Sequence, residues 1–556
     1  MKSENKICQN CKKDFIIELD DFSFYEKIKV PLPTFCPECR RQRRLSYRND
    51  FVFYNRVCDL CKRNIISLYS PSNPQIIYCN KCWWSDNWDS KSYAKDFDFT
   101  RPFFEQFKEF REKVPALALT NDNGVGSINS EYVQDVAYSK DCYMVMVAWK
   151  MENCMYFSYG SGVKDAVDSM GVFSRNGGGI YEAIQSQECF GSKYIQNSNQ
   201  LIDCSFCYDC RGCSNCFMCV GLRNKKFFFK NEEKTKKEYE EILSSYKLDC
   251  WSGVEKAREE FEEFKLTKPH KFANLVNCLN CLGENLTNSK NSKDVFNVHK
   301  AEDVKYSENG DTEKDSYDLS VGGELEKCYE GLTPDNSTFA LFTNYVWKSL
   351  DMTYSDFCMS CQNCFGCVGL KHARYSIFNK EYEKEEYMKL KERIIEHMKK
   401  TGEYGEFFQI KDSPFGYNET MAMISFPLTK EEALGHGYKW QDNVQQTKGK
   451  TTLFKIPDSI KEVNDSITDE ILECQICKRN YKIIDNELKF YKKWSIPIPR
   501  YCFYCRLEKR FKLRGPSKLW HRKCMKKGCN NTFETSYAPE LPEIIYCERC
   551  YQKEIY

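Results

Sequence analysis

Histidine is scarce in this chain. Only six occur among 556 residues (His270, His299, His372, His397, His436 and His521), and none stands at a spacing that pairs it with a catalytic or metal-binding partner. G-x-S-x-G, Walker-loop and H-E-x-x-H motifs are absent, which removes the sequence-level case for a serine hydrolase, a P-loop nucleotidase or a zinc protease. Gly177, Gly178 and Gly179 form a run without the strand–G-x-G-x-x-G–helix context that a dinucleotide site needs. No stretch approaches the about 18 uninterrupted apolar residues that suggest a membrane-spanning helix. Residues 1–20 are charged and lack an apolar h-region, so no signal peptide is visible. Net charge is also small, +2.

Cysteine is abundant, with 33 residues. Cys8, Cys11, Cys36 and Cys39 read C-x2-C-x24-C-x2-C, and Cys474, Cys477, Cys502 and Cys505 repeat that spacing. Each quartet is followed 19 positions later by another: Cys58, Cys61, Cys79 and Cys82, then Cys524, Cys529, Cys547 and Cys550, both with a 17-residue central gap. A C-x-x-C turn places two thiolates on one side of a metal, and a second completes a tetrahedron. The expectation is four structural Zn2+ ions, each with four thiolate ligands and no open position for a water nucleophile. Paired C-x-x-C motifs favour metal over disulfide in a reducing compartment. The expected location is therefore cytoplasmic, with no membrane partner.

The small net charge hides an asymmetry. Residues 1–89 carry 15 Lys+Arg against 11 Asp+Glu, residues 470–556 carry 19 against 10, and the middle holds −11. Four thiolates facing one dication subtract two charges per site, so only the C-terminal end keeps a basic excess. Basic runs begin directly after two closing C-x-x-C motifs. Arg40, Arg41, Arg43, Arg44 and Arg48 follow Cys39; Arg506, Lys509, Arg510, Lys512 and Arg514 follow Cys505, with Phe511, Trp520 and His521 close by. Guanidinium groups fixed on a rigid base suit phosphate, and interleaved rings suit base stacking. Arg40, Arg41, Arg43, Arg44, Arg506, Lys509, Arg510, Lys512, Arg514 and Trp520 are thus the candidate contacts to RNA, DNA or a ribonucleoprotein. The alternatives are protein contact, or arginines that balance thiolate charge and donate hydrogen bonds locally. Trp83, Trp84 and Trp88 after Cys82 read as a seal between a small metal module and its neighbour, or as a partner surface.

The middle is duplicated. CFMCVGL (216–222) and CFGCVGL (364–370) lie 148 positions apart, and each leads into a charged helical pattern. Tyr239, Ile242, Leu243 and Tyr246 mark the first helix and Tyr387, Leu390, Ile394 and Ile395 the second, with another at roughly 253–265. Upstream, Cys142, Cys154, Ala166 and Gly178 recur every 12 residues, and Cys189, Leu201 and Cys213 continue after a one-residue slip. Val304, Ser316, Cys328, Ala340, Met352 and Cys364 repeat the period. Helices do not place small side chains in register every 12 residues, whereas stacked turns of a parallel β-solenoid do. Cys204, Cys207, Cys210, Cys213, Cys216 and Cys219 occur every third residue, as do Cys358, Cys361, Cys364 and Cys367. These are packed core thiols, ligands of an iron–sulfur cluster or a further metal, or disulfides.

The segment ICQNCKKDFIIELDDFSFYEKIKVPLPTFCPECRRQRR (7–44) resembles the small bacterial "probable zinc-ribbon" domain, a treble-clef-like module, in its C-x-x-C, its Phe-containing strand, the acid before FYEK and the CPECR with a basic tail. Residues 474–510 match more loosely, because Cys502-Phe-Tyr-Cys505 lacks the proline and acid of CPEC. The whole chain resembles long cysteine-rich multi-ribbon proteins of candidate-lineage bacteria, some of which carry a CaiB/BaiF transferase label; no residues here support coenzyme A transfer. The resemblance implies zinc binding and no established activity.

The expected architecture is a mostly β multidomain chain, with duplicated zinc-ribbon or treble-clef modules at both termini flanking a central duplicated parallel β-solenoid with helical caps. The expected segments are paired zinc modules (1–90), a helical connector (91–120), solenoid segment one (121–231), a helical segment (232–270), solenoid segment two (271–380), a helix and small linker element (381–469), and paired zinc modules (470–556). The expected role is a non-enzymatic zinc-binding scaffold that contacts nucleic acid or a ribonucleoprotein through its basic modules. A protein-assembly scaffold using the solenoid faces and a redox or iron–sulfur protein are the alternatives.

Overall fold

The computed structural model describes residues 2–120, 127–175, 177–453 and 455–555. Residues 121–126, which open the first expected solenoid segment, lie outside the described residues. The chain forms two compact units, each from two separate stretches. One contains Met1–Leu119 and Leu275–Val444; the other contains Thr120–Asn274 and Gln445–Tyr556. Each terminal pair of cysteine modules therefore folds with the repeat region from the opposite half of the sequence.

Strands dominate. The largest sheets have 12 strands in the second unit and 11 in the first, and their neighbouring strands are parallel save for a closing antiparallel strand in each. The register repeats at 12 residues. In the second unit Gln134 pairs with Met146, Met146 with Ser158 and Ser158 with Met170. In the first unit Val304 pairs with Ser316, Ala340 with Met352 and Met352 with Cys364, as the sequence period predicts.

The expected continuation beyond Ala166 is wrong, and Gly178, Cys189, Leu201 and Cys213 do not follow Cys142, Cys154 and Ala166 in register. Ala166 pairs with Ile180, not Gly178, because the chain inserts two residues here rather than slipping by one; Met170 likewise pairs with Ile184. The 12-residue step then resumes at Tyr181↔Lys193.

Within the period lies a shorter one. Asn129, Tyr132, Asp135, Tyr138, Asp141, Met144, Val147, Lys150 and Asn153 all have positive φ near 50°. Every third residue thus turns the chain through the left-handed region, where Asn and Asp are tolerated best. From Tyr132 on, the residue after each turn points inward: Val133, Val136, Ser139, Cys142, Val145, Ala148, Met151 and Cys154 are all buried. Asn and Asp at the turns bond to the next period, as in Asn129 Nδ2 to Asp141 Oδ1 at 2.7 Å and Asn291 Nδ2 to Asp303 Oδ1 at 3.1 Å.

This geometry explains the small polar core. Inner Ser and Cys side chains reach backbone groups on their own strand and on the next. Ser186 Oγ donates to the Ile184 carbonyl at 2.9 Å and accepts from Ser198 N at 3.3 Å. Cys204, Cys207 and Cys210 donate to carbonyls two residues earlier at 3.4, 3.6 and 3.5 Å. All 33 cysteines are free thiols, so the disulfide reading fails. The buried runs Cys204–Cys219 and Cys358–Cys367 are packed, hydrogen-bonded thiols, and none belongs to a compact metal-binding group.

Helices close the repeats. Lys236–Ser245 starts with a Thr235/Glu238 capping box and buries Tyr239. Trp251–Leu266 buries Val254, Ala257 and Phe261, and Lys384–Lys400 buries Tyr387, Ile394 and Met398.

Candidate metal centres and their docking helices

Each cysteine quartet is built the same way. In the first, strands Glu4–Ile7 and Asp14–Ile17 form an antiparallel hairpin. Its turn is the C-x-x-C: Cys8 N donates to Lys13 O at 2.9 Å, Lys12 N donates to Cys8 O at 3.1 Å, and Lys12 takes positive φ. Cys36 is the N-cap of helix Pro37–Leu45, which carries Cys39 in its first turn. Cys58/Cys61 and helix Asn80–Trp83, Cys474/Cys477 and helix Phe503–Arg514, and Cys524/Cys529 and helix Glu548–Ile555 repeat the plan.

In each quartet the four sulfurs lie within 4.8 Å of one another. Cys11 and Cys36 sulfurs are 3.7 Å apart, Cys61 and Cys79 3.9 Å, Cys477 and Cys502 3.6 Å, and Cys529 and Cys547 3.9 Å. Backbone N–H groups point at the sulfurs, as from Cys36 N to Cys8 Sγ at 3.2 Å and from Cys79 N to Cys58 Sγ at 3.3 Å. The Arg63 guanidinium, 3.5 Å from Cys61 Sγ, holds that thiol down at about 6. The donor set fits a tetrahedral ion with four thiolate ligands, so all sixteen expected ligands are brought together, four to a site.

The basic run after each first quartet has a different destination from the expected one. In the first unit Arg40 sets Nε and NH2 against Asp318 Oδ2 at 2.9 and 2.8 Å. Arg44 reaches Asp318 Oδ1 at 3.1 Å and Glu330 at 3.3 Å, and Arg43 bridges Glu330 and Glu406 at 2.7 Å each. Arg41 grips Glu308 with two bonds of 2.8 Å. The second unit repeats the lock. Arg506 contacts Asp168, with Glu487 at 3.5 Å, and Arg510 meets the other Asp168 oxygen at 2.5 Å.

The equivalence extends to the surroundings. Arg40 lies over the Tyr306 ring at 5.3 Å and Arg506 over Tyr156 at 4.5 Å. Asp168 and Asp318 both occupy positive-φ turns of the parallel repeats. Burial pushes the Glu330 and Glu487 carboxyls up, and the adjacent guanidiniums oppose that shift.

Five candidate nucleic-acid contacts are therefore reassigned: Arg40, Arg43, Arg44, Arg506 and Arg510 are buried ion-pair partners. A phosphate cannot reach them while the modules are docked. Arg41 is committed to Glu308, Lys509 covers the Tyr501 ring at 3.8 Å, and Arg514 covers Tyr159 at 4.8 Å. Lys512 is exposed beside Glu508, and Trp520 is half-buried on strand Trp520–Lys523 with Lys518 5.7 Å from its ring.

The sequence reading missed the buried acids that receive the arginines. Glu487 stands as far after the first cysteine of its module as Asp21 does, but Asp21 pairs with Lys305 instead of an arginine.

The tryptophans seal. Trp83 is fully buried, and Lys371 Nζ lies 4.3, 5.0 and 5.3 Å from the Trp83, Trp84 and Trp88 rings while donating to the Trp83 carbonyl at 2.6 Å. His299 sits in a polar surface ladder between Asn288 and Asp311 at 3.1 and 3.0 Å. Buried His270 bonds the Lys265 carbonyl at 3.2 Å, and burial pushes it down to about 4.

Among the described residues no helix is long and apolar enough to cross a membrane. No family model and no curated protein matches the chain. Among solved structures, the crystal structure of a "putative acetyltransferase" from Desulfovibrio desulfuricans G20 matches at 10 % identity, covering 44 % of this chain and 61 % of that one, with a TM-score of 0.10. The expectation of a non-enzymatic protein is withdrawn. A likeness of this size carries no argument for an activity either.

Proposed function

We propose that this protein is an assembly scaffold: two four-sided parallel β-solenoids, each gripped by treble-clef modules that hold structural zinc. The observation that carries the reading is the repeated guanidinium lock, Arg40 and Arg44 on Asp318 and Arg506 and Arg510 on Asp168. Basic groups that could have formed a phosphate track join each module to its solenoid instead. The second C-x-x-C opening a helix in every module supports the treble-clef reading over a plain ribbon, and four thiolates per site with no free position support zinc in a structural role.

Partners then meet the walls of the solenoids. Phe190 and Ile202 occupy neighbouring turns of one wall and are 52 % and 50 % exposed, which favours a protein partner. Nucleic-acid or ribonucleoprotein contact is the second reading, supported by the exposed Lys512, Lys518, Lys523, Lys526 and Lys527. Capture from extracts of the native host, with and without nuclease, separates the two. The scaffold reading expects partners that survive nuclease and are lost with Phe190→Asp/Ile202→Asp at unchanged metal content. Capture that nuclease abolishes and this variant retains would replace it with the second reading.

A further inference from the structure

Most thiols outside the four quartets are sealed within the repeats. Cys278 and Cys281 are the exception as a pair. They are inner residues of the first turn of the first unit's parallel stack, where strand Leu275–Val276 pairs with strand Leu279–Thr287. Both are only half-buried, and Leu279 between them is 70 % exposed. Asn280 takes the positive-φ turn just before Cys281, placing the two thiols on adjacent walls. The neighbouring Cys278 thiol, more than burial, pushes the Cys281 thiol up. Cys278 Sγ also bonds the Val276 carbonyl at 3.4 Å and the Leu286 carbonyl at 3.5 Å.

The same local arrangement recurs at Cys210 and Cys213, which are 0 % and 1 % exposed. The pairs share their chain separation and corner geometry, so access is what distinguishes them. Neither Cys278 nor Cys281 belongs to a metal cluster.

We propose that Cys278 and Cys281 form a dithiol site that reacts with low-molecular-weight disulfides and closes to an intramolecular disulfide across the first corner of the solenoid. In this scheme Cys278 gives up its proton and supplies the first thiolate. Its sulfur attacks the oxidant, the oxidant's S–S bond breaks, a mixed disulfide forms at Cys278, and one small thiol leaves. Cys281 then loses its proton and attacks Cys278 Sγ, expelling the second small thiol. Two protein thiols are oxidised and one oxidant disulfide is reduced; the two protons end on the released thiols. The closed bond tethers the first turn of the stack.

The test uses full-length, metal-loaded protein treated with oxidised glutathione, alkylated and mapped by peptide mass spectrometry. The expected result is a peptide bearing Cys278 and Cys281 that is two hydrogens lighter and unalkylated, while Cys204–Cys219 and Cys358–Cys367 stay reduced. Cys281→Ser should trap a glutathione adduct on Cys278; serine is tolerated at this kind of position, since Ser289 and Ser292 occupy it one turn on. The proposal is overturned if Cys278 and Cys281 both remain free thiols once the isolated, half-buried Cys250 has been glutathionylated, or if Cys281→Ser carries no adduct.

Discussion

Asp168→Asn isolates the contribution of one guanidinium lock. The substitution keeps the side chain's shape and removes its charge. Arg506 retains Glu487 at 3.5 Å, but Arg510 loses its Asp168 carboxylate, and among the described residues its Nε and second NH2 are already without hydrogen-bond partners. Both arginines are buried, so water does not replace the lost partner. Stranding one partner of a buried ion pair costs about 3–5 kcal/mol. A change of that size opens helix Phe503–Arg514 from its docking site about 10²–10⁴ times more often, since each 1.4 kcal/mol is roughly a factor of ten. Hydrogen exchange read by mass spectrometry over residues 503–514 measures this directly. Protection should fall by that factor, with little change over Pro37–Leu45, which is locked by Asp318 instead. Raising salt should not reproduce the effect, because buried pairs are weakly screened. Protection within about threefold of wild type would refute the claim that these arginines are structural.

Three further outcomes follow from the same geometry. Glu313 is buried inside the first unit's repeats beside Gly310, where an added Cβ would stand 1.9 Å from Glu313 Oε1; burial lifts its carboxyl from 4.5 to about 7. The folded state therefore holds the proton more tightly: stability should be unaffected by this group below pH 4.5, fall by about 3 kcal/mol as pH rises to 7, and stay low above it, and denaturation curves of Glu313→Gln should lack that slope. Alkylation of native protein should be slow at Cys154, Cys328 and Cys364, which are fully buried, and labelling there as fast as in a free peptide would sink the inward assignment. Cys58→Ser should release one metal ion and unfold the module around Trp83, seen as a loss of tryptophan emission intensity, while circular dichroism of the strand repeats is retained; intact metal content would contradict the ligand assignment.

Much of this architecture was legible because it is periodic. The cysteine quartets show themselves by spacing, and the 12-residue step from Val304 to Cys364 appears unchanged as strand register. The three-residue step was visible only where cysteine fills successive inner positions, since Val, Ala, Ser and Met elsewhere mask it. The insertion beyond Ala166 escaped because a two-residue bulge and a one-residue slip both leave small residues in plausible places. The arginines were the least legible part. Phosphate and carboxylate recruit the same guanidinium geometry, and the decisive partner, Asp168 or Asp318, lies hundreds of residues away in sequence. Composition reports the cation and not what neutralises it.

Metal stoichiometry tests the central claim most directly. Native mass spectrometry of protein purified with zinc present should show four zinc ions per chain, one for each cysteine quartet, and none held by Cys204–Cys219 or Cys358–Cys367. Two or fewer ions in metal-replete protein would contradict the duplicated, metal-held modules on which the account rests.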